Sequence, residues 1–288
     1  MYYLYLFSKI AKYIALISLL ISFFSDLPIF KFLCILILFD IILDFTVLKC
    51  SILQVIGLFR VNHRFGENMP SIDNYENEVS YILPFQGRWM AVNGSYEKAY
   101  SHSWDIPTQR YAYDFLVLDE SGKSDHGEYN QCSSYYCYDK EVLSPADGTV
   151  IKVSNSGKDS LIFPKGWFLS RSNHIAGNYI VIRHAEKEFS TLAHLKNGSI
   201  SVKVGDVVSK GQCIAKCGNT GNSTEPHLHF QLQTSPSFYS SAGLPIQFRN
   251  VDISQVENYS KYDPRPHMSY DQILHGYITR GFAVENKA

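Results

Sequence analysis

The segment Glu225-Pro226-His227-Leu228-His229-Phe230-Gln231 carries two histidines one residue apart. In an extended strand, residues i and i+2 project from one face, so both imidazoles point into one place while Leu228 turns towards a core. Neutral imidazole is the commonest metal-ligating side chain, which makes the pair a starting point for a zinc site. Alone it is a weak signal, since exposed His-x-His pairs occur by chance. Its approach is a glycine-rich turn, Gly218-Asn219-Thr220-Gly221, of a kind that leaves a site open. Three further residues have the right chemistry. His194 ends the run Thr191-Leu192-Ala193-His194-Leu195, where alternation places it on the face opposite Ala193 and Leu195. Asp114 is a carboxylate inside the aromatic run Tyr111-Ala112-Tyr113-Asp114-Phe115, and a buried Asp is rare unless paired or metal-bound. His102 lies upstream in Ser101-His102-Ser103-Trp104. There is no His-Glu-x-x-His, so a helix-borne glutamate base is excluded and a neutral imidazole is the group with a suitable pKa.

These residues sit on short β-rich runs. Strands are expected at Ala112–Leu118, Gly148–Val153, Asn178–His184, Glu188–Leu195, Cys213–Cys217 and His227–Gln233, divided by turn signals such as Ala146-Asp147-Gly148 and Asn197-Gly198. No amphipathic helix is evident between Tyr81 and Asn250. The fold class expected is an all-β domain of antiparallel sheets with an open groove, preceded by a hydrophobic helical segment. The domain limits read from composition are 1–50 for the hydrophobic segment, 51–80 for a polar linker, 81–250 for the β-rich domain and 251–288 for a C-terminal extension, with a short helix near Tyr270–Tyr277 packing outside. Asp119 to Glu141 reads as an inserted surface loop. Its tyrosines, Tyr135, Tyr136 and Tyr138, either meet a substrate or pack the loop down. Other histidines, among them His184, read as surface or strand-end residues.

The first fifty residues differ from the rest. Tyr13 to Phe24 carries no charge, and a second apolar stretch from Ile29 to Leu48 contains Lys31, Asp40 and Asp44. A membrane span needs roughly 20 apolar residues, and each stretch reaches that length if its lysines snorkel. A signal peptide, one anchor helix and a two-helix hairpin all remain open; the absence of a small-x-small cleavage site weighs towards a retained membrane segment. Lys9 and Lys12 favour an inside amino terminus, and one crossing then places the β-rich domain outside the cytoplasm, the expected arrangement, whereas two crossings would return it to the cytosol, with which Lys49, Arg60 and Arg64 agree. Of six cysteines, the four at 132, 137, 213 and 217 permit disulfides without specifying a pairing; in a strand, Cys213 and Cys217 are about 13 Å apart and cannot bond to each other. A zinc site on these four has loose spacing, and buried or cross-paired thiols are the simpler reading.

From about Tyr81 to Asn250 the chain resembles the lysostaphin-type (β-lytic, LytM-like) zinc metallopeptidases that cut peptidoglycan peptides. The resemblance rests on SPADGTVIKV (144–153), GNYIVIRH (177–184), STLAHL (190–195), VKVGDVVSKGQCIAKCGNTGNSTEPHLHFQLQ (202–233) and AYDF (112–115). It implies a zinc cofactor, Asp114 and His229 as metal ligands, His194 and His227 as the catalytic pair, and peptidoglycan peptides as the partner. The family pattern has a His four residues before the Asp. That position is Arg110 here, and arginine stays protonated and cannot ligate zinc. His102 is the natural substitute, arriving from the preceding loop.

Two other classes compete. The pair Pro145–Val150 and Val204–Gln212 also resembles the barrel-sandwich carriers of lipoyl and biotinyl groups, but no lysine sits at the required hairpin tip, and a carrier has no use for the histidines. A metal-free relative that binds cell-wall peptides, or regulates another hydrolase, would need one ligand missing. With 26 Lys+Arg against 27 Asp+Glu, nothing in the overall charge favours nucleic acid, and 45% hydrophobic with 18% charged residues excludes a disordered chain.

Overall fold

The computed structural model describes residues 2–43 and 45–287. Asp44, one of the two carboxylates of the second apolar stretch, lies outside the described residues. The chain divides into two compact units, Met1–Ile52 and Leu53–Ala288.

In the first unit, α1 (Tyr2–Ser22) is long and apolar enough to cross a membrane by length and composition. Its inward stripe, Ser8, Ala11, Ala15 and Ser18, is small, recurs at helical spacing and allows close packing against its neighbours. Tyr3, Phe7, Tyr13, Ile17 and Leu20 face outward and are exposed. The second apolar stretch is not one span. It is broken into α2 (Pro28–Leu33), which starts at a proline suited to the first helical turn, and α3 (Leu36–Leu43). A further helix, α4 (Phe45–Phe65), runs through residue 50, where the hydrophobic segment was expected to give way to a linker. Irregular chain occupies 66–88, with one isolated bridge at Tyr81.

The second unit is an antiparallel β body. Its strands are β1 (Trp89–Asn93), β2 (Tyr113–Leu116), β3 (Glu141–Leu143), β4 (Gly148–Ser154), β5 (Lys158–Ile162), β6 (Phe168–Arg171), β7 (Tyr179–Arg183), β8 (Phe189–Ala193), β9 (Val207–Val208), β10 (Cys213–Lys216), β11 (Leu228–Gln233), β12 (Gly243–Leu244), β13 (Val251–Gln255) and β14 (Phe282–Asn286). The main sheet runs β13-β14-β1-β2-β11-β8-β7-β4-β9, with β12 beside β11; β3 pairs β10 and β5 pairs β6. All six strands expected from β-rich runs between turn signals are present, and every strand pair is antiparallel.

The C-terminal extension does not sit outside this sheet. Phe282–Asn286 is inserted between β13 and β1, and the segment expected to be helical holds only one short turn at Tyr270–Gln272. Phe282, Ala283 and Val284 are buried, and the eight residues 270–277 are too few to hold a helix on local tendency alone. The core lies on the face of β2 and β11 that carries Tyr113, Phe115, Leu228 and Phe230. Phe85 stacks on Trp89 at 4.7 Å and meets Phe115 edge-on at 4.9 Å. The residues between these, Asp114 and His229, therefore take the opposite face.

A second anchor lies at the start of β8. Glu188 is fully buried, and its carboxylate accepts from Tyr75 Oη (2.8 Å), Tyr81 Oη (2.7 Å), Glu78 N (2.7 Å) and Val79 N (3.2 Å). This clamp ties residues 75–81 to the end of β8 remote from His194, about 20 Å away at strand rise.

Candidate metal centre

Three neighbouring strands bring the chemistry to one level. In the register of the sheet, Asp114 on β2 lies directly opposite His229 on β11, and His229 lies opposite Ala193 on β8. Asp114 Oδ1 is 2.9 Å from His229 Nδ1, and Asp114 Oδ2 is 3.1 Å from His102 Nε2. One ligand atom each from His102, Asp114 and His229 lie within 4.8 Å of one another, the group of metal-ligating type found among the described residues. Atoms at tetrahedral corners about 2.05 Å from a zinc ion are about 3.3 Å apart. The spacings of 2.9 and 3.1 Å run to the two different oxygens of Asp114 and are shorter than that edge, while two nitrogens with one carboxylate are a donor set that zinc accepts. The four cysteines do not gather into such a group: Cys137 and Cys217 are buried and Cys213 is exposed.

The loop that delivers His102 is held by the residue that cannot be a ligand. Arg110 lies over the Trp104 ring at 4.7 Å and donates from Nε to Trp104 O at 3.2 Å. Ser101 Oγ donates to Arg110 O at 2.9 Å, closing the loop on both sides of His102. Ser103 Oγ meets His102 Nδ1 at 2.9 Å.

His194 reaches the site by a route that alternation does not describe. Ala193, as the partner of His229, faces the site, so a regular strand would send His194 to the other side. Instead β8 stops at Ala193 and His194 takes φ +60°, in the left-handed region that His tolerates better than branched residues. The backbone turns, and the His194 ring comes to 4.6 Å from His227 and 5.8 Å from His229. The turn is fixed by Asn178 Nδ2 and Thr220 Oγ1, both donating to Leu195 O. His194 Nδ1 donates to Thr220 O at 2.8 Å. The glycine-rich approach thus grips a catalytic candidate instead of standing open. Asn219 and Thr220 are fully buried, and a Cβ at Gly221 (φ +84°) would collide with the Gly177 and Ile175 backbone.

His227, just before β11, donates from Nδ1 to Glu225 O at 2.8 Å, and its Nε2 lies 3.6 Å from Asp114 Oδ1. With Nδ1 donating to a carbonyl, His194 and His227 each keep their lone pair on Nε2 when neutral. Burial, and then the proximity of His227 and His229, hold the His194 imidazole well below its ordinary pKa. Burial pushes the Asp114 carboxyl up, but His102 and His227 outweigh it and hold it well below the usual range.

Several residues that sequence reasoning did not single out complete the site. Asn93 Nδ2 donates to Asp114 Oδ2 at 3.0 Å, and its Oδ1 accepts from Arg265 at 2.9 Å, which is itself paired with Asp263. The C-terminal extension thereby reaches the carboxylate. Glu225 accepts from Ser124 of the inserted loop and Tyr262 of the extension, both at 2.7 Å. The loop's tyrosines bond within the protein: Tyr135 donates to Tyr129 O, Tyr138 to Asp159 and the half-buried Tyr136 to Asp119. Gln231 accepts at the far nitrogen of His229, 2.9 Å away. Only Gln231 had a sequence signal, the two-residue spacing from His229.

A β sheet that presents a His/Asp/His donor set with two more imidazoles beside it has the makings of a metal-dependent hydrolase. Residues 135–240 match the model for peptidase family M23. The match includes His194, His227 and His229 and begins after His102 and Asp114. Lysostaphin of Staphylococcus simulans is 40% identical over 102 residues, 35% of this chain and 19% of lysostaphin. Peptidoglycan DD-endopeptidase ShyA of Vibrio cholerae serotype O1 is 45% identical over 64 residues, 22% of this chain and 14% of that protein. The chain thus spans less than a fifth of the length of either relative. Among solved structures, the catalytic domain of Staphylococcus simulans lysostaphin aligns with a TM-score of 0.32 and 22% identity, over 59% of this chain and 90% of that one.

Proposed function

We propose that the chain is a zinc-dependent endopeptidase that hydrolyses peptide bonds of peptidoglycan stems or cross-bridges. The observation that carries this reading is the convergence of His102 Nε2, Asp114 and His229 Nδ1 beside the His194–His227 pair. His102, Asp114 and His229 are the proposed ligands. A zinc ion held there would supply Lewis acidity, lowering the pKa of a water to about 7 and polarising the scissile carbonyl. His194 and His227 present Nε2 lone pairs, so either accepts the proton of the attacking water. The ring that takes this proton passes it to the leaving amine, and the other, entering protonated from solvent, donates to the developing oxyanion. Thr220 O and Glu225 O hold the two rings in the tautomer this requires. Asn93, itself held by Arg265, keeps the Asp114 carboxylate oriented, while His102 and His227 favour its ionised form. The outward apolar face of α1 supports a membrane anchor, and Lys9 and Lys12 favour the orientation that puts the β-rich domain outside the cytoplasm.

The test is metal analysis and digestion of purified peptidoglycan, with products read by mass spectrometry. Wild-type protein should hold about one zinc per chain, as a single three-ligand site requires. Asp114→Ala and His229→Ala should lose metal and cleavage together. His194→Ala and His227→Ala should keep metal and lose cleavage. Undiminished cleavage in any of the four overturns the assignment, and a wild type that binds peptidoglycan peptides without zinc or cleavage favours the binding relative.

A further inference from the structure

The polar face of β11 continues beyond the metal centre. His229, Gln231 and Gln233 follow one another at two-residue spacing on the side away from Leu228, Phe230 and Leu232. All three are buried, Gln231 and Gln233 completely, so their polar groups must be satisfied within the protein. The contacts form a line: His229 Nε2 to Gln231 Oε1 at 2.9 Å, Gln231 Nε2 to Gln233 Oε1, and Gln233 Nε2 to Ser235 O at 2.7 Å. Thr191 Oγ1 also donates to Gln233 Oε1, at 3.2 Å.

The direction of this line follows from its far end. Ser235 O is a backbone carbonyl and can only accept, so Gln233 must turn its amide nitrogen towards it. Gln233 Oε1 then faces Gln231, and Gln231 must present its own nitrogen. That leaves Gln231 Oε1 against His229 Nε2, which must therefore carry a hydrogen. Flipping either amide sets oxygen against oxygen in a buried place, where an unpaired polar group is costly. With Nε2 protonated, a neutral His229 has its lone pair on Nδ1, 2.9 Å from Asp114 Oδ1. Two acceptors at that distance need a cation between them, either a proton or a metal ion.

We propose that Gln231 and Gln233 are positioning residues: they form a one-way amide chain that sets His229 in the Nε2–H form and turns its Nδ1 lone pair to the Asp114–His102 cluster. This rests on the reading of that cluster as a metal site. Its reach is longer than usual, since a backbone carbonyl six residues along the chain decides which imidazole nitrogen is available. Outer partners of ligating histidines typically change metal affinity by about 10- to 100-fold.

Long-range proton–nitrogen NMR of the metal-free protein gives a direct test. Nε2 of His229 should carry a hydrogen throughout the neutral pH range; a bare Nε2 overturns the proposal whether or not the chain binds zinc. With zinc alone as probe, Gln231→Leu should weaken binding by about 10- to 100-fold and mix the His229 tautomers, with unchanged folding of the metal-free protein. The double variant Gln231→Glu with Gln233→Met restores an acceptor against Nε2–H and removes the oxygen that would oppose it. It should recover the tautomer and most of the zinc affinity. Wild-type affinity and an unmixed tautomer in Gln231→Leu refute the positioning role. A wild type that binds no zinc but shows Nε2–H refutes the metal reading and leaves the amide chain intact.

Discussion

Replacing Glu188 by Gln keeps the shape of a buried group and reverses half of its chemistry. The carboxylate accepts four hydrogen bonds, from two phenols and two backbone N–H groups, at 2.7 to 3.2 Å. An amide retains one acceptor oxygen and sets its NH2 against two of those donors. Each bond to a charged acceptor contributes about 1.5–3 kcal/mol. Two lost bonds therefore cost about 3–6 kcal/mol, a large share of a typical domain stability of about 5–15 kcal/mol. The loss should fall on residues 75–81 first, because four of their hydrogen bonds end on this carboxylate. Urea unfolding followed by tryptophan fluorescence, together with limited proteolysis, measures both effects. Tyr81→Phe should cost less than Glu188→Gln, and the two should be strongly non-additive, since they share a bond. A Glu188→Gln protein within about 1 kcal/mol of wild type, with residues 75–81 still protease-resistant, would refute the reasoning.

Two further outcomes bear on the site. Four-ligand structural zinc sites bind with about 10–16 kcal/mol, about 3 kcal/mol per ligand, so His102→Ala should weaken zinc binding by about 100-fold; competition with a chelating dye reads this, and unchanged affinity removes His102 from the ligand set. His194 has a folded-state pKa depressed below the unfolded value of about 6.5. Its contribution to stability is therefore present above about pH 6.5 and is lost as pH falls towards the folded value, by up to about 1.4 kcal/mol per pH unit. Urea midpoints of metal-free wild type should drop between pH 7 and 5.5 more steeply than those of His194→Asn, and equal slopes contradict the assignment.

Much of the sheet was legible because alternation is a local property. The six strands read from β-rich runs between turn signals are all present, and Leu228 and Phe230 enter the core as alternation requires. Asp114 stood out because a carboxylate between Tyr113 and Phe115 has no other easy explanation. Alternation also misleads where a second layer intervenes. Leu228–Gln233 is buried at all six residues, and its polar face is satisfied by its own amides. His194 was recognised as a residue but not as a geometry, since a left-handed backbone at a non-glycine position leaves no mark in composition. The roles of Glu188, Arg265 and β14 depend on partners more than a hundred residues distant, a separation that no local pattern encodes.

The insertion of β14 between β13 and β1 has a consequence for handling the protein. One rim of the main sheet is β13, and the other is the two-residue β9, whose Val207 is 79% exposed. Short or covered rims are how sheets avoid pairing with copies of themselves. A fragment ending near residue 250, chosen to isolate the catalytic body, would strip β13 and β14 together and bare the backbone of Trp89–Asn93 with its apolar side chains. Such a fragment would be prone to stack edge to edge into aggregates, and it would also lack Arg265, so its inactivity would say nothing about the chemistry of the intact chain.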